Sequence, residues 1–276
     1  MGRDGIDHAV RIDLHSLAFT PSRLTGFSLG RSEYGADLRR AEECDAMTRF
    51  SRFSAAMPVL LIAGCGDALP TGETALREFI PAMTGAGPDA MSERMAIETV
   101  GFTVSMTAGF AGKELADQWS EDVVAKKVAD AFEPHRKAAA DAFYAALAKE
   151  LDAETTKALV ADVRDPAKLK ILKCAYKPDG FVLAFEACDP AAMGKPEDFY
   201  DRYAALRRGV ETAIDAPGAL GAAGTAACDV SDEFLAAARK ANPDFSVGNL
   251  KMNRNGKEYD CATFRSLAGA GDAAAK

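Results

Sequence analysis

Leu115-Ala-Asp-Gln-Trp119-Ser-Glu-Asp-Val123-Val-Ala-Lys-Lys-Val128-Ala-Asp-Ala-Phe132 places Leu115, Trp119, Val123, Val128 and Phe132 at helical spacing. Apolar residues recurring every four or five positions form one face of a helix, with charged residues opposite. Asp122 and Lys126 stand one turn apart, a spacing at which opposite charges pair. A single amphipathic helix is therefore predicted across this run.

The same pattern continues toward the carboxyl end. Pro134 closes the helix or opens a second one, whose face reads Phe143, Leu147 and Leu151. Asp152 can cap a shorter helix carrying Leu159 and Val163, and Asp165-Pro166 repeats a cap-then-proline start before Leu169 and Leu172. Upstream, a helix from Gly72 to Met83 is expected with Thr71 as its cap, followed by a break at Gly85-Ala86-Gly87. Pro88 then suits the first turn of a helix striped by Met91, Met95, Phe102, Met106 and Phe110. Gly101 and Gly109 weaken that helix, and the alternation over 102–106 leaves a strand open. Helices joined by short links pack as antiparallel neighbours, so the fold class is mainly α, a helical bundle.

Past residue 175 the pattern changes. Pro178-Asp179-Gly180 reads as a turn, Phe181–Ala187 as a strand, and Pro196 opens a helix with Phe199, Tyr203, Leu206, Val210 and Ile214 on one face. Ala216–Ala227 is rich in glycine and alanine and reads as a loop. Ser231 is placed to cap a helix containing Phe234 and Leu235, which stops before Pro243. The last expected element is a small β-hairpin around Asn255-Gly256, a pair suited to a type I′ turn. That turn sets Met252 opposite Tyr259, Leu250 opposite Cys261 and Lys251 opposite Asp260, the last an ion pair.

Two short stretches carry resemblances. In Met47–Cys65, Arg49 and Arg52 precede an uncharged apolar run, and small residues lead into a cysteine. Leu61-Ile62-Ala63-Gly64-Cys65 resembles the lipobox of bacterial lipoprotein precursors. The resemblance implies a signal peptide over 47–64, lipidation of Cys65, cleavage before it, and attachment to a membrane through the lipid. Gly66 follows in place of the aspartate that retains lipoproteins at the inner membrane, which implies the periplasmic face of the outer membrane. The competing reading is a core segment of a cytosolic protein, which Pro58 disfavours by interrupting a helix. Separately, Leu151-Asp152-Ala153-Glu154 and Asp165-Pro166-Ala167-Lys168-Leu169-Lys170 resemble a family of uncharacterised helical bacterial envelope proteins over some twenty residues. The aromatic pair usual before the proline is replaced here by Asp162-Val163-Arg164.

Residues 1–64 hold eight arginines and no lysine, whereas 65–276 hold ten arginines and fifteen lysines. With no apolar period in it, the segment 1–46 is expected to be upstream sequence translated from a mis-set start. The alternative is a disordered arm. Residues 65–71 then form a tether and 72–276 the helical domain with its C-terminal hairpin. The part from Cys65 onward carries 25 basic and 33 acidic residues, the whole formal charge of −8. An acidic balance without a basic patch argues against nucleic acid as a partner, since phosphate neutralisation supplies most of that affinity.

Catalytic constellations are scarce. His135 is the lone histidine after residue 65, no cofactor or metal-ligand motif occurs, and no phosphate loop, GxSxG or HExxH is found. Glu114, Asp117, Glu121 and Asp122 read as a solvated acidic face, Lys168, Lys170, Lys173 and Lys177 as surface lysines, and Phe199, Tyr200 and Tyr203 as core. Two functional classes lead: a non-enzymatic envelope module binding another protein or a cell-wall component, and a bundle binding lipid or a small molecule. The second would use an apolar groove lined by Met91, Met95, Phe102 and Met106. Cys174, Cys188, Cys228 and Cys261 are an even set, and export implies two disulfides. Sequence admits three pairings, with proximity favouring Cys174–Cys188 and Cys228–Cys261.

Overall fold

A computed structural model describes residues 69–177 and 181–274. The signal-like stretch, Cys65, the segment 1–46 and the turn at 178–180 lie outside the described residues. Among those described, α-helices dominate, with one two-stranded hairpin near the carboxyl end and a shorter strand pair before it. No helix among them is long and apolar enough to cross a membrane.

Helix α1 (Gly72–Thr84) starts after Thr71, whose side chain makes no capping bond, and ends on left-handed Gly85. Its first amide, Gly72 N–H, donates instead to Thr156 Oγ1 at 3.0 Å, tying it to a helix 84 residues away. Helix α2 (Asp89–Ala111) runs through the segment where a strand was open.

The run from 115 to 132 is two helices, a correction to the single one expected. Helix α3 (Lys113–Gln118) stops where Trp119 leaves helical geometry at φ −110°, ψ 48°, and α4 (Glu121–Phe132) restarts after Ser120. The restart re-sets the phase, so Val124, Val128 and Phe132 are buried and Val123 is only half-buried. Lys126 accordingly meets Asp130 at 2.9 Å, not Asp122.

Helices α5 (Arg136–Glu150), α6 (Ala153–Arg164) and α7 (Pro166–Ala175) follow as read. Asp152 accepts from Thr155 N–H at 2.6 Å, and Asp165 accepts from Ala167 and Lys168 N–H at 2.9 and 3.3 Å. These carboxylates take up amides that a helix start leaves without internal partners. Strand β1 (Tyr176–Lys177) pairs with β2 (Val182–Leu183); beyond Leu183 the predicted strand turns instead into a 3₁₀ turn at Phe185–Ala187. Helix α8 (Pro196–Ile214) buries Phe199, Tyr203, Leu206 and Val210.

The largest correction is α9 (Pro217–Ala241), a 25-residue helix containing the whole glycine- and alanine-rich segment expected to be a loop. Every residue from Gly218 to Cys228 is buried. Alanine has the strongest intrinsic helix preference, and a helix whose side chains are small all round can be enclosed by neighbours. Ser231 is thus an interior buried residue, not a cap.

The hairpin of β3 (Lys251–Arg254) and β4 (Lys257–Asp260) has the expected register, Met252 against Tyr259 and Lys251 against Asp260. Asn255 and Gly256 have the positive φ values, 53° and 75°, that the turn needs. Two details differ. Lys251 bonds the diagonal Glu258 at 2.8 Å, because Asp260 is engaged with Thr263 N–H and Oγ1. That engagement begins a further helix, α10 (Cys261–Ala274), so the hairpin is not the last element.

The helices enclose two main cores. One lies between α1, α5, α6, α7 and α8, around Phe79, Phe143, Leu147, Leu159, Phe185, Phe199 and Tyr203. The other lies between α2, α3, α4, α9, the hairpin and α10, around Val100, Trp119, Val128, Phe234 and Phe264. A small cluster of Phe132, Ala139, Ala222 and Ala226 sits between them, bringing α5 and α4 onto α9.

Candidate functional site

The most concentrated chemistry in the described chain is a buried ionic centre where α6, α7 and α8 meet. Asp162, 2% exposed, accepts from Lys168 Nζ at 2.9 Å, from Arg202 Nη2 at 2.7 Å and from Tyr203 OH at 3.1 Å. Asp162 sits on the buried face beside Leu159 and Val163, which is why its carboxylate faces inward. Burial, together with the neighbouring Asp162 charge, holds the Tyr203 phenol well above its usual range. Its hydroxyl is spent on the hydrogen bond it donates to Asp162. A buried carboxylate is tolerated when cations and hydrogen bonds compensate it, and this one is compensated on both oxygens.

Beside this centre, Glu154, Thr155, Asp198, Asp201 and Arg202 line an open hollow of about 320 Å³ between α6 and α8. Arg202 is committed to Asp162, so the hollow presents mainly carboxylates to solvent. Arg202 Nε is buried and donates to no described atom. On another side of the molecule Arg136 donates to Asp89, Glu93 and Glu133 at 2.7–2.8 Å, which ties α2 to α5 and raises the guanidinium pKa against the opposing effect of burial. These pairings fasten α6, α7 and α8 to one another and α2 to α5.

Met91 packs on the first core and Met95 on the second, where Arg254 Nη1 also approaches Met95 Sδ at 3.5 Å. Phe102 is half-buried, while Met106 and Phe110 point outward, 55% and 76% exposed. The stripe thus runs from between the two cores onto the surface. The Asn242 side chain donates from Nδ2 to the Phe110 carbonyl at 3.3 Å, which ties this end of α2 to the end of α9. Glu114, Asp117, Glu121 and Asp122 are all exposed. His135 is half-buried in a 3₁₀ turn. Phe199 and Tyr203 are buried, and Tyr200 is 40% exposed at the edge of their cluster.

Lys168 departs from the expectation of an ordinary surface lysine, since it belongs to the buried centre. Asp162, Arg202 and the role of Lys168 were not read from the sequence. The available signal was an aspartate inside an apolar helical face. Among the described residues, no group of three or more His, Cys, Asp or Glu is placed to hold a metal.

All four cysteines described pair by proximity. Cys174 bonds Cys188 with Cα atoms 6.1 Å apart, and Cys228 bonds Cys261 at 5.7 Å. The first links α7 to the 3₁₀ turn, the second α9 to the start of α10.

No family model, curated protein or solved structure matches this chain.

Proposed function

We propose that the chain is a bacterial envelope lipoprotein, anchored through Cys65 at the periplasmic face of the outer membrane, and that its helical domain is a non-enzymatic interaction module. The basic–apolar–small–cysteine order of 47–65 supports the anchor. Two disulfides among the four described cysteines support an oxidising compartment, because such bridges are rare where thiols are kept reduced.

The interaction reading rests chiefly on one observation: Met106 and Phe110 are held outward at a fixed helix end. Large apolar side chains grouped on a surface mark contact sites. The ionic centre meanwhile has its groups committed to one another. The partner is therefore read as a protein of the envelope whose apolar surface covers this end of α2.

Photo-crosslinking from position 106, in lipidated protein within intact envelopes, tests both parts. The mature species should have the mass of Cys65–Lys276 plus lipid, and Cys65→Ser should lose the lipid. Crosslinks should join a defined protein and disappear in a Phe110→Asp variant. Crosslinks to lipid alone would favour the lipid-binding alternative, and an unlipidated native species retaining residues 2–45 would overturn the anchor.

A further inference from the structure

The two disulfides occupy opposite environments. Cys228 is fully buried and Cys261 is 9% exposed, between helices whose closeness depends on small residues. Cys174 is exposed on α7, and Cys188 is half-buried. Lys170 lies one helical turn before Cys174, and Lys173 precedes it directly, both exposed. Glu186 and Asp189, also exposed, flank Cys188.

Thiol–disulfide exchange requires an approaching thiolate to reach a sulfur in line with the bond it breaks, so access separates otherwise similar bridges. From this contrast we infer that Cys174–Cys188 is a thiol–disulfide exchange site for a thiol-bearing partner, whereas Cys228–Cys261 is a permanent brace. The entering thiolate forms a bond to Cys174 Sγ, and the Cys174–Cys188 bond breaks. Cys188 leaves as a thiolate and takes a proton from water. A second thiolate attacks the partner's sulfur in the mixed disulfide, and Cys174 leaves as a thiolate that also takes a proton from water. Two electrons and two protons have then passed to the chain, and the thiols have become their own disulfide.

Exposure directs the thiolate to Cys174, and the two exposed lysines on the same helix favour the approach of an anionic thiol. Opening the bridge leaves the fold standing, because Phe181 and Phe185 stay buried between the two cysteines and hold the segment. The inference stands on the bridges themselves and does not depend on the lipid anchor.

The test uses the full oxidised chain under native conditions, brief exposure to reduced glutathione, acid quenching, alkylation and peptide mass mapping. Glutathione should appear on Cys174 with Cys188 alkylated, at a rate at least about tenfold above opening of Cys228–Cys261. Far-UV circular dichroism should not change. A Lys170→Glu/Lys173→Glu variant should slow attack by glutathione several-fold relative to attack by cysteamine, whose ammonium cancels the thiolate charge. Equal opening of both bridges, glutathione on Cys188, or opening only with unfolding would overturn the inference.

Discussion

The two cores solve the same problem with opposite materials. Around α1, α5, α6, α7 and α8, large side chains interlock: Phe185 meets Phe199, Tyr200 and Tyr203 edge-on at 5.2–5.7 Å. Around α9, closeness comes from what is missing. A Cβ on Gly221 would lie 2.7 Å from the Leu267 backbone carbon, and one on Gly224 would enter the Phe264 ring. The first core gains from filled volume, the second from helix axes brought together by small residues. The first should fail when side chains are removed, and the second when they are added.

The largest effects are expected in the first core. Phe143 is fully buried and edge-on to Tyr144, so Phe143→Ala should lower stability by about 3–5 kcal/mol. Asp162→Ala should match it at about 3–5 kcal/mol, because Lys168 and Arg202 would be left partly buried without their anion. Denaturant unfolding followed by circular dichroism measures both.

The second core should respond to a single methyl group. Gly221→Ala or Gly224→Ala should cost about 1–3 kcal/mol, from overpacking that side-chain rotation alone cannot relieve at Gly221, where the backbone of α10 is met. Trp119, the chain's single tryptophan, lies in this core against Phe234 at 5.2 Å, so its emission should be blue-shifted when folded. If the two cores unfold as one unit, Trp119 fluorescence and circular dichroism give the same midpoint in both variants. Separate midpoints would show that the division is also one of stability.

The same contrast explains what was legible in the sequence. Helices of the first core announce themselves through large apolar residues at fixed spacing, as in Phe199, Tyr203, Leu206 and Val210, and through caps such as Asp152 and Asp165-Pro166. The hairpin register followed from Asn255-Gly256, because only a short turn with two positive φ values fits there. Helix α9 is not legible in the sequence because glycine and alanine between Gly218 and Ala227 give no periodic contrast: every side of this stretch is buried. The ionic centre was missed for a different reason. Asp162, Lys168, Arg202 and Tyr203 come from three helices, and no local spacing records that those helices meet there.

A smaller effect concerns alkaline pH, and again separates the halves. The Tyr203 phenol is raised in the folded state, so the folded chain holds that proton more tightly than the unfolded chain. Its contribution is fully present below the ordinary phenol range near pH 10 and declines as pH rises beyond it. Tyr203→Phe should flatten the alkaline limb of stability, at the cost of one hydrogen bond to Asp162. An unchanged slope in that variant would place the alkaline loss elsewhere.

The smallest effects belong to two caps, one in each region. Asp152 accepts from Thr155 N–H at the start of α6, and Asp260 accepts from Thr263 N–H and Oγ1 at the start of α10. Hydrogen bonds to the ionised form lower both carboxyl pKa values, from the Thr155 amide first for Asp152 and from the Thr263 side chain first for Asp260. The sign is opposite to that of Tyr203. Each contributes stability above the ordinary carboxyl range near pH 4, lost as pH falls through the lower folded value. Both carboxylates are solvent-facing, so Asp152→Ala and Asp260→Ala should each weaken stability near neutrality less than the core changes do. The two should differ in reach. Asp152 sits where α6 is also held by Asp162, so its loss should leave that helix's amide protection largely intact. Helix α10 has the Cys228–Cys261 bridge at its first residue, and Asp260 is the side chain that closes its first turn. Hydrogen exchange at the Thr263 amide should therefore accelerate in Asp260→Ala more than exchange at the Thr155 amide does in Asp152→Ala, unless the bridge alone holds the helix start.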